Sequence, residues 1–308
     1  MSAVQDPDKA ARYDQMPPIK GSVSFNEPMS RHTSFRIGGP VDVFAVPEDV
    51  EGLRLLLEWA RDGGIPVLLV GAGTNLLVAD KGIRGLVLKL GSGFGRIAVR
   101  GKRVVAGGAA KLPLLVRKTL DSGLSGLEGL SGVPGTVGGA VCMNAGTPLG
   151  CVGDTLESVE AIDMSGRTFT LNASDLGLAY RQSRVGEMRL AVTEAAFVLR
   201  RGLPERMKEV AAALLEKRDA TQPYRSKTAG STFKNPRAGC AGEMIEAVGA
   251  KGMRVGGAQV SALHANFIEN VGNASAADVR QLMTRLQALV HDRFGVELQP
   301  EIQLVGEW

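Results

Sequence analysis

Three polar residues have the side chains and surroundings that catalysis needs, and the first of them is a serine. Ser231 lies in the polar stretch 222–236 (QPYRSKTAGSTFKNP), close to Lys227 and Lys234. Neighbouring cations and amide groups favour the deprotonated form of a hydroxyl, so Ser231 could act as a general acid. Serine is also common in turns, where it only satisfies the backbone. The residue types alone leave both interpretations open.

An arginine and a glutamate are the other two candidates. Arg181 follows Tyr180 at the end of a predicted helical turn, where a guanidinium can hold a carboxylate through two parallel hydrogen bonds or form an ordinary surface ion pair. Glu301 is predicted to lie in an apolar strand beside Ile302 and Leu304. Strand alternation directs such a side chain either into the protein or out to water. Taken separately, neither residue indicates a function.

Two glycine-rich stretches stand apart from these polar residues. They are Gly126–Gly146 (GLEGLSGVPGTVGGAVCMNAG) and Gly71–Leu77 (GAGTNLL). Glycine permits positive φ and lets the backbone come very close to a ligand. Successive N–H groups in such turns form concave sites for anions. The two stretches therefore predict a large phosphate-bearing ligand held between them, the other interpretation being that they merely connect short strands.

The elements before residue 92 are predicted to form a small α/β unit. A strand at 41–46 precedes a helix that starts after Pro47-Glu48-Asp49, with proline and acids in the first turn. Strands at 66–70 and 86–90 enclose the first glycine-rich stretch. The spacing of apolar residues predicts which side chains of the helix face inward: Val50, Leu53, Leu57 and Ala60.

The elements after residue 91 are predicted to mix strands and helices. Alternation predicts hairpins at 96–106 and 156–171 and a long strand at 191–200. Helical periodicity is found at 112–122, 204–220, 241–248 and 275–293, and strands are predicted at 265–270 and 298–305. Met207, Val210, Leu214 and Leu215 are expected to face inward from the 204–220 helix. Ser275 and Asp278 form a capping box at the start of the last helix.

Composition excludes several classes of function. The net charge of +4 over 308 residues comes without a dense basic block, so we expect no nucleic-acid partner. Three cysteines without a CxxC pair are typical of a reducing cytosol, and three widely separated histidines predict no metal site. We see no apolar run of the roughly 18 residues that a membrane span needs and no secretory signal. The sequence therefore predicts a cytoplasmic protein that does not bind membranes.

Common catalytic and nucleotide-binding motifs are missing from the sequence. We find neither the GxxxxGK[ST] pattern of a P-loop nor the GxSxG pattern of an α/β-hydrolase. Gly71-Ala72-Gly73 lacks the third glycine of a dinucleotide-binding fingerprint and opens no predicted helix. A Rossmann domain is therefore a poor fit to this chain.

Six segments of the chain resemble the UDP-N-acetylenolpyruvoylglucosamine reductase family, the flavoenzymes of bacterial peptidoglycan precursor synthesis, and the resemblance covers about residues 30–306. Each segment alone is a weak signal, whereas six in the same order are highly specific. The segments are GAGTNLLV (71–78), SGVPGTVGGAVCMNAG (131–146), YRQS (180–183), GSTFKNP (230–236), HANFIEN (264–270) and PEIQLVG (300–306).

The resemblance implies an α+β fold in three parts. A two-subdomain FAD-binding unit of the vanillyl-alcohol-oxidase type would span residues 21–91 and 92–203, and an α+β substrate-binding domain residues 204–308, after a flexible tail at 1–20. The sequence resembles the subtype without an extra tyrosine-bearing loop. It departs from the family at Thr147-Pro148-Leu149-Gly150, where an aromatic–glycine pair is usual, which puts an aromatic contact there in doubt.

The resemblance also implies ligand contacts. FAD, bound without a covalent link, would contact residues of the two glycine-rich stretches: Gly71, Ala72, Gly73, Thr74, Asn75, Leu76, Leu77, Ser131, Gly132, Val133, Pro134, Gly135, Thr136, Gly138, Gly139 and Asn144. The UDP-sugar substrate would contact a second set: Tyr180, Tyr224, Arg225, Lys227, Asn235 and His264.

The implied reaction uses NADPH to reduce the enolpyruvyl ether UDP-N-acetyl-3-O-(1-carboxyvinyl)glucosamine to UDP-N-acetylmuramate. Hydride would pass through flavin N5, Ser231 would donate the proton, and Arg181 and Glu301 would hold and polarise the substrate carboxyl group. We expect a monomer whose partners are these small molecules. The alternatives are another FAD-dependent oxidoreductase of this fold acting on an alcohol or sugar lactone, with His32 or Cys142 as possible points of covalent attachment, and a flavin- or nucleotide-binding module without catalysis.

Overall fold

The computed structural model of the chain describes residue 13 and residues 15–308. In the N-terminal region (residues 21–91), a sheet with strand order β1-β2-β5-β3 packs against one helix. β1 pairs antiparallel with β2, while β2, β5 and β3 are parallel neighbours. The elements are β1 (Gly21–Pro28), β2 (Pro40–Pro47), α1 (Val50–Asp62), β3 (Val67–Val70), β4 (Leu76–Val78) and β5 (Ile83–Lys89).

Helix α1 begins where the sequence predicts it. The Asp49 carboxylate accepts a hydrogen bond from the Gly52 N–H at 2.9 Å and so caps the helix. The buried face runs through Leu53, Leu56, Leu57 and Ala60. The expectation that Val50 faces inward is wrong: it is 47% exposed, because that face begins only one turn later.

The central region (residues 92–203) is built on a five-stranded antiparallel sheet with strand order β12-β11-β13-β7-β6. Both predicted hairpins and the long strand are present. Short helices cover one face of this sheet and form the largest apolar core with it. The elements are β6 (Ile97–Arg100), β7 (Arg103–Gly107), α2 (Leu112–Asp121), β8 (Leu124–Ser125), α3 (Val137–Cys142), β9 (Gly146–Thr147), β10 (Gly150–Cys151), β11 (Leu156–Ile162), β12 (Thr168–Asn172), α4 (Arg184–Glu187), β13 (Ala191–Val198) and β14 (Arg200–Arg201).

The C-terminal region (residues 204–308) combines three helices with short strands. Ser275 and Asp278 cap its longest helix as predicted, each side chain accepting from the other residue's backbone N–H. The predicted strand 298–305 is wrong in length, because only its last three residues pair as a strand. The elements are α5 (Pro204–Thr221), α6 (Ala241–Ala247), β15 (Arg254–Val255), β16 (Ala258–Val260), β17 (Ile268–Asn270), α7 (Ala276–Phe294) and β18 (Gln303–Val305).

Helix α5 packs on the central region, although the sequence places the boundary at residue 203. Its buried residues, Met207 and Ala211, belong to the core of the central sheet. Leu215 was expected to face inward but is 45% exposed, because the helix lies across a surface and is covered on one narrow side only. Helix α5 is thus buried against the central region and leads from it to the rest of the C-terminal region.

The C-terminal region shares its core with part of the N-terminal region. Phe35, Ile37 and Leu77 are buried in the same apolar cluster as α6 and α7. β18 pairs in parallel with β4, with Leu304 opposite Leu77. The end of the chain is thus tied directly to the strand that follows the first glycine-rich loop.

Most of the predicted tail at 1–20 lies outside the described residues. Within it, Tyr13, Met16 and Ile19 pack on the core around α1. In the part of the chain that the structure describes, none of the helices has the length and apolar character needed to cross a bilayer.

Candidate active site

The two glycine-rich loops lie against each other. Gly71 follows β3, and a Cβ added to it would lie 2.6 Å from Thr136 Oγ1. That hydroxyl caps α3 by accepting from the Gly139 N–H at 3.3 Å. A Cβ on Gly135 would come within 3.5 Å of Thr74 Oγ1. The two loops are therefore close together, as the prediction of a ligand held between them requires.

The first loop, residues 71–75, is forced into shape by close backbone contact. Gly73 has a φ of +67°, and a Cβ on it would lie 2.0 Å from the carbonyl oxygen of His32. The backbone N–H groups of Ala72, Gly73, Thr74 and Asn75 donate to no other described residue. A row of free amides in a tight loop is the donor set that binds an anion.

The second loop, residues 131–139, has both free and occupied amides. Val137 and Gly138 donate to the carbonyls of residues 110 and 108, each at 2.9 Å, and Val133 donates to residue 130 at 3.0 Å. Among the described residues, no partner accepts from the amides of Gly132, Gly135 or Thr136. Residue 131 adds a buried serine hydroxyl that has no hydrogen-bond partner. The available donors are thus concentrated around residues 131–136.

Three of the predicted cofactor contacts have structural roles in the fold. Leu77 is fully buried in the C-terminal core, and Leu76 is 8% exposed at the start of β4. The Asn144 amide donates to the Ala179 carbonyl at 3.0 Å and accepts from the Gly153 N–H at 2.9 Å. Asn144 therefore braces the loop that carries Arg181.

Arg181 and Glu301, 120 residues apart, form an ion pair. Arg181 Nε donates to Glu301 Oε1 at 2.5 Å, and its Nη1 donates to the Gly146 carbonyl at 3.0 Å. The Arg181 backbone has a φ of +56°, a conformation that costs a non-glycine residue energy and that surrounding contacts must hold. The side chains are only 21% and 13% exposed, so the pair is shielded from water.

Ser231 lies in a short extended segment that is hydrogen-bonded to residues 266–267 on one side and to Glu301 on the other. It forms an isolated β-bridge with Phe267, and the Thr232 N–H donates to the Asn266 carbonyl at 2.8 Å. On the other side, the Glu301 N–H donates to the Thr232 carbonyl at 2.8 Å. Because Glu301 pairs with this segment, it is not part of the predicted alternating strand. The structure thus brings the backbone of the Ser231 segment next to Glu301, which is paired with Arg181.

Sequence reasoning missed the role of Asn266. It is 4% exposed, and its side chain accepts from the Phe233 N–H at 3.0 Å and donates to the Phe233 carbonyl at 2.8 Å. A buried amide that satisfies both backbone groups of one residue fixes that residue's position. The signal was available, since Asn266 is a lone polar residue between Ala265 and Phe267.

Burial and charge act in opposite directions on Glu301. Burial raises the pKa of this carboxyl above its ordinary value, although Arg181 and Lys234 both act to lower it. Burial also lowers the pKa of His264 below that of a free histidine. His264 Nδ1 accepts from the Asn266 N–H at 3.2 Å, which requires this nitrogen to be unprotonated. His264 is therefore a neutral brace for the same turn.

The predicted substrate residues form an outer layer. The Tyr180 ring lies 5.2 Å from the Arg181 guanidinium, and its hydroxyl accepts from the Asn235 N–H at 3.4 Å. Tyr224 lies against the second glycine-rich loop, beside Arg218, while Arg225 and Lys227 are exposed. Arg218, which the sequence did not single out, donates to the Ser131 carbonyl at 3.2 Å.

The departure at residues 147–150 forms a small hairpin of β9 and β10. Thr147 Oγ1 donates to the Gly129 carbonyl at 2.8 Å, and Leu149 is 61% exposed.

Among the described residues, no group of three histidine, cysteine or acidic side chains is close enough to hold a metal ion.

Two family models match this chain. The model described as "FAD binding domain" matches residues 41–172, which include both glycine-rich loops. The model described as "UDP-N-acetylenolpyruvoylglucosamine reductase, C-terminal domain" matches residues 222–305, which include Ser231 and Glu301.

Whole-length relatives agree with both models. UDP-N-acetylenolpyruvoylglucosamine reductase of Desulforamulus reducens is 42% identical over 94% of this chain and 95% of its own length. The chain belongs to the UDP-N-acetylenolpyruvoylglucosamine reductase family. The reductase of Moorella thermoacetica is 43% identical over the same shares of both chains. A solved structure of the Thermus caldophilus reductase superposes with a TM-score of 0.80 at 35% identity, covering 93% of this chain and 99% of that one.

Family membership confirms the predicted fold class. The chain is an α+β protein with a FAD-binding domain followed by the family's C-terminal domain. The two loops fit the diphosphate of FAD, because several of their backbone amides and the Ser131 hydroxyl have no hydrogen-bond partner among the described residues, and glycine allows the two loops to approach closely.

Proposed function

We propose that this protein reduces the enolpyruvyl ether of UDP-N-acetylglucosamine to UDP-N-acetylmuramate, with FAD as cofactor and NADPH as reductant, in peptidoglycan precursor synthesis. The observation that carries the proposal is the shielded pair of Arg181 and Glu301 beside the Ser231 segment. These residues come from three distant parts of the chain, and a shared reaction accounts for their meeting. The names of the relatives support the same substrate.

FAD is held by the loops 71–75 and 131–136, whose free amides bind its diphosphate. The chemistry that FAD supplies when bound is hydride transfer. Non-covalent binding is supported by the two residues that could have formed a link. The His32 ring stacks on the Phe44 ring with their centroids 3.9 Å apart, and its Nε2 is hydrogen-bonded to the Glu27 carboxylate at 3.0 Å. Burial raises the pKa of the Cys142 thiol, which disfavours the reactive thiolate.

Arg181 binds the substrate carboxyl group and stabilises the negative charge that develops when the adjacent double bond is reduced. Glu301 accepts a hydrogen bond from the Nε of that guanidinium. Burial raises the pKa of Glu301, so this carboxyl takes up a proton more readily than an exposed one. In its protonated form it can donate a hydrogen bond to the substrate carboxylate instead of repelling it. Ser231 donates the proton that completes the reduction, at the carbon that bears the carboxyl group. The Thr232–Glu301 hydrogen bond keeps Ser231 beside the pair.

The outer layer binds the nucleotide end of the substrate. Arg225 and Lys227 are exposed cations suited to a diphosphate. Tyr180 contacts Asn235, His264 contacts the turn at Asn266, and Tyr224 lies against the second glycine-rich loop. We propose the C-terminal region from residue 204 as the substrate-binding domain and the regions 21–91 and 92–203 as the two FAD subdomains. A cytoplasmic monomer remains our prediction.

The decisive experiment follows the absorbance of NADPH with the purified yellow protein. We expect oxidation that depends on the enolpyruvyl sugar. An alcohol or lactone oxidoreductase would instead act on its substrate without NADPH, and a binding module would be yellow but inactive. Either result would refute the proposal.

Ser231→Ala tests the proton donor. We expect turnover to fall about 10²–10⁴-fold, while bleaching of the flavin by NADPH alone keeps its rate. Ser122→Ala is the matched control, because that hydroxyl donates to Lys118 at the end of α2, away from the site. Normal rates in both half-reactions of Ser231→Ala would rule out this role.

A further inference from the structure

Asn75 touches the main chain of the catalytic glutamate. Its side-chain Nδ2 donates to the Glu301 carbonyl at 3.1 Å. Its own carbonyl accepts from the Gln303 N–H at 2.9 Å. One residue of the first glycine-rich loop therefore holds two of three consecutive residues in the C-terminal segment.

Hydrogen bonds hold both the N–H and the carbonyl of Glu301. Its N–H donates to the Thr232 carbonyl at 2.8 Å, next to the proposed proton donor. Its carbonyl accepts from Asn75, next to the amides proposed to bind the cofactor. Because hydrogen bonds hold both backbone groups of Glu301, the position from which its carboxyl group reaches Arg181 is fixed.

The Asn75 amide is also supported from the central region. Its Nδ2 lies 3.8 Å from the sulfur of Met143, which ends α3, and Gln303 Nε2 lies 3.5 Å from the same sulfur. The Asn75 amide nitrogen thus has two acceptors, the Glu301 carbonyl and the Met143 sulfur. The three regions of the chain meet at this one side chain.

We infer that Asn75 is a positioning residue, which sets the Glu301 main chain relative to the FAD-binding loop and thereby the carboxyl relative to the reacting carbon. This inference rests on the proposed function for its catalytic part. A role in cofactor binding alone would use the Asn75 backbone and leave Glu301 unaffected. The two roles make different predictions for combined substitutions.

A double-mutant cycle separates the two roles. Asn75→Ala should lower kcat about 10- to 100-fold in the otherwise unchanged enzyme, because a small misplacement of a catalytic group is costly. In the Glu301→Gln enzyme the same change should lower kcat less than about 3-fold, because the group it positions is gone. Measurements use saturating FAD. Equal factors in both backgrounds would overturn the inference.

Hydrogen exchange tests the anchoring without relying on activity. In Asn75→Ala, the peptide covering residues 298–305 should exchange its amides faster than in the unaltered protein. Thr74→Ala is the matched control in the same loop, since the Thr74 side chain faces Gly135 and not Glu301. Unchanged exchange at 298–305 in Asn75→Ala would overturn the inference, even if the protein proved to act on a different substrate.

Discussion

The FAD loops and the catalytic group are built in opposite ways. The loops 71–75 and 131–139 are short and contiguous, and they offer backbone amides beside glycines such as Gly73, where a Cβ would clash. The catalytic group takes one side chain from each of three segments, with Arg181 and Glu301 120 residues apart. A site made of backbone amides can be predicted from a short stretch of sequence, whereas a site made of distant side chains depends on how the whole chain packs.

This difference predicts two separable kinds of damage. A substitution in the loops should affect folding and cofactor binding together, because the loop backbone is part of the packed structure. A substitution in the catalytic group should leave a yellow, folded protein that turns over slowly.

Gly73→Ala should have the largest effect. The new Cβ would lie 2.0 Å from the His32 carbonyl, so the backbone must shift, in addition to a conformational cost of about 1–2 kcal/mol at φ +67°. We expect loss of bound FAD and a lowered melting temperature. Gly101→Ala has a φ of +64° but meets no atom within 4 Å, and should keep its FAD. Similar behaviour of the two variants would contradict the importance of this close contact.

Arg181→Lys should rank second. Lysine keeps the charge but cannot make the directed bonds to Glu301 and Gly146 together, so we expect kcat to fall about 10²–10³-fold with FAD content unchanged. Arg189→Lys is matched, because Arg189 also has a positive φ, of +52°, and is exposed. Loss of FAD from Arg181→Lys would show that the two sites are not separable.

Glu301→Gln tests the electrostatics. Because burial raises the pKa of Glu301, the folded protein binds a proton more tightly than the unfolded chain, and its stability falls as pH rises from the ordinary carboxyl pKa through the raised one. Glutamine does not ionise. The melting temperature of the variant should therefore gain on that of the unaltered protein across this window. A difference that is constant with pH would contradict the raised pKa.

Arg218→Ala should have the smallest effect. It removes one hydrogen bond to Ser131 and the contact with the Tyr224 ring at 5.9 Å, together worth about 1 kcal/mol. We expect FAD affinity to fall about 5-fold, measured by fluorescence titration. Lys217→Ala, an exposed neighbour, should leave the affinity unchanged. An equal loss in both variants would indicate a general effect of α5.

Sequence patterns predicted most elements but few of their ends. α1, α2, α5 and α7 and the two hairpins are where periodicity placed them, because each has apolar residues spaced so that they share the face that is buried. The strand predicted at 298–305 was too long, since Glu301 is held by Thr232 and Asn75 and not by a regular ladder. Leu215 was misjudged because apolar spacing on α5 does not reveal which side is covered.

The sequence by itself determined the glycine-rich loops, the capped helices and the family, because these depend on neighbouring residues and on the order of short motifs. Only the tertiary structure decided that Arg181 meets Glu301, that Asn266 holds the Ser231 segment and that Asn75 reaches the Glu301 main chain. The physical reason is range. Conformational preferences act within a few residues, whereas a side-chain hydrogen bond forms between any two residues that packing brings within about 3 Å.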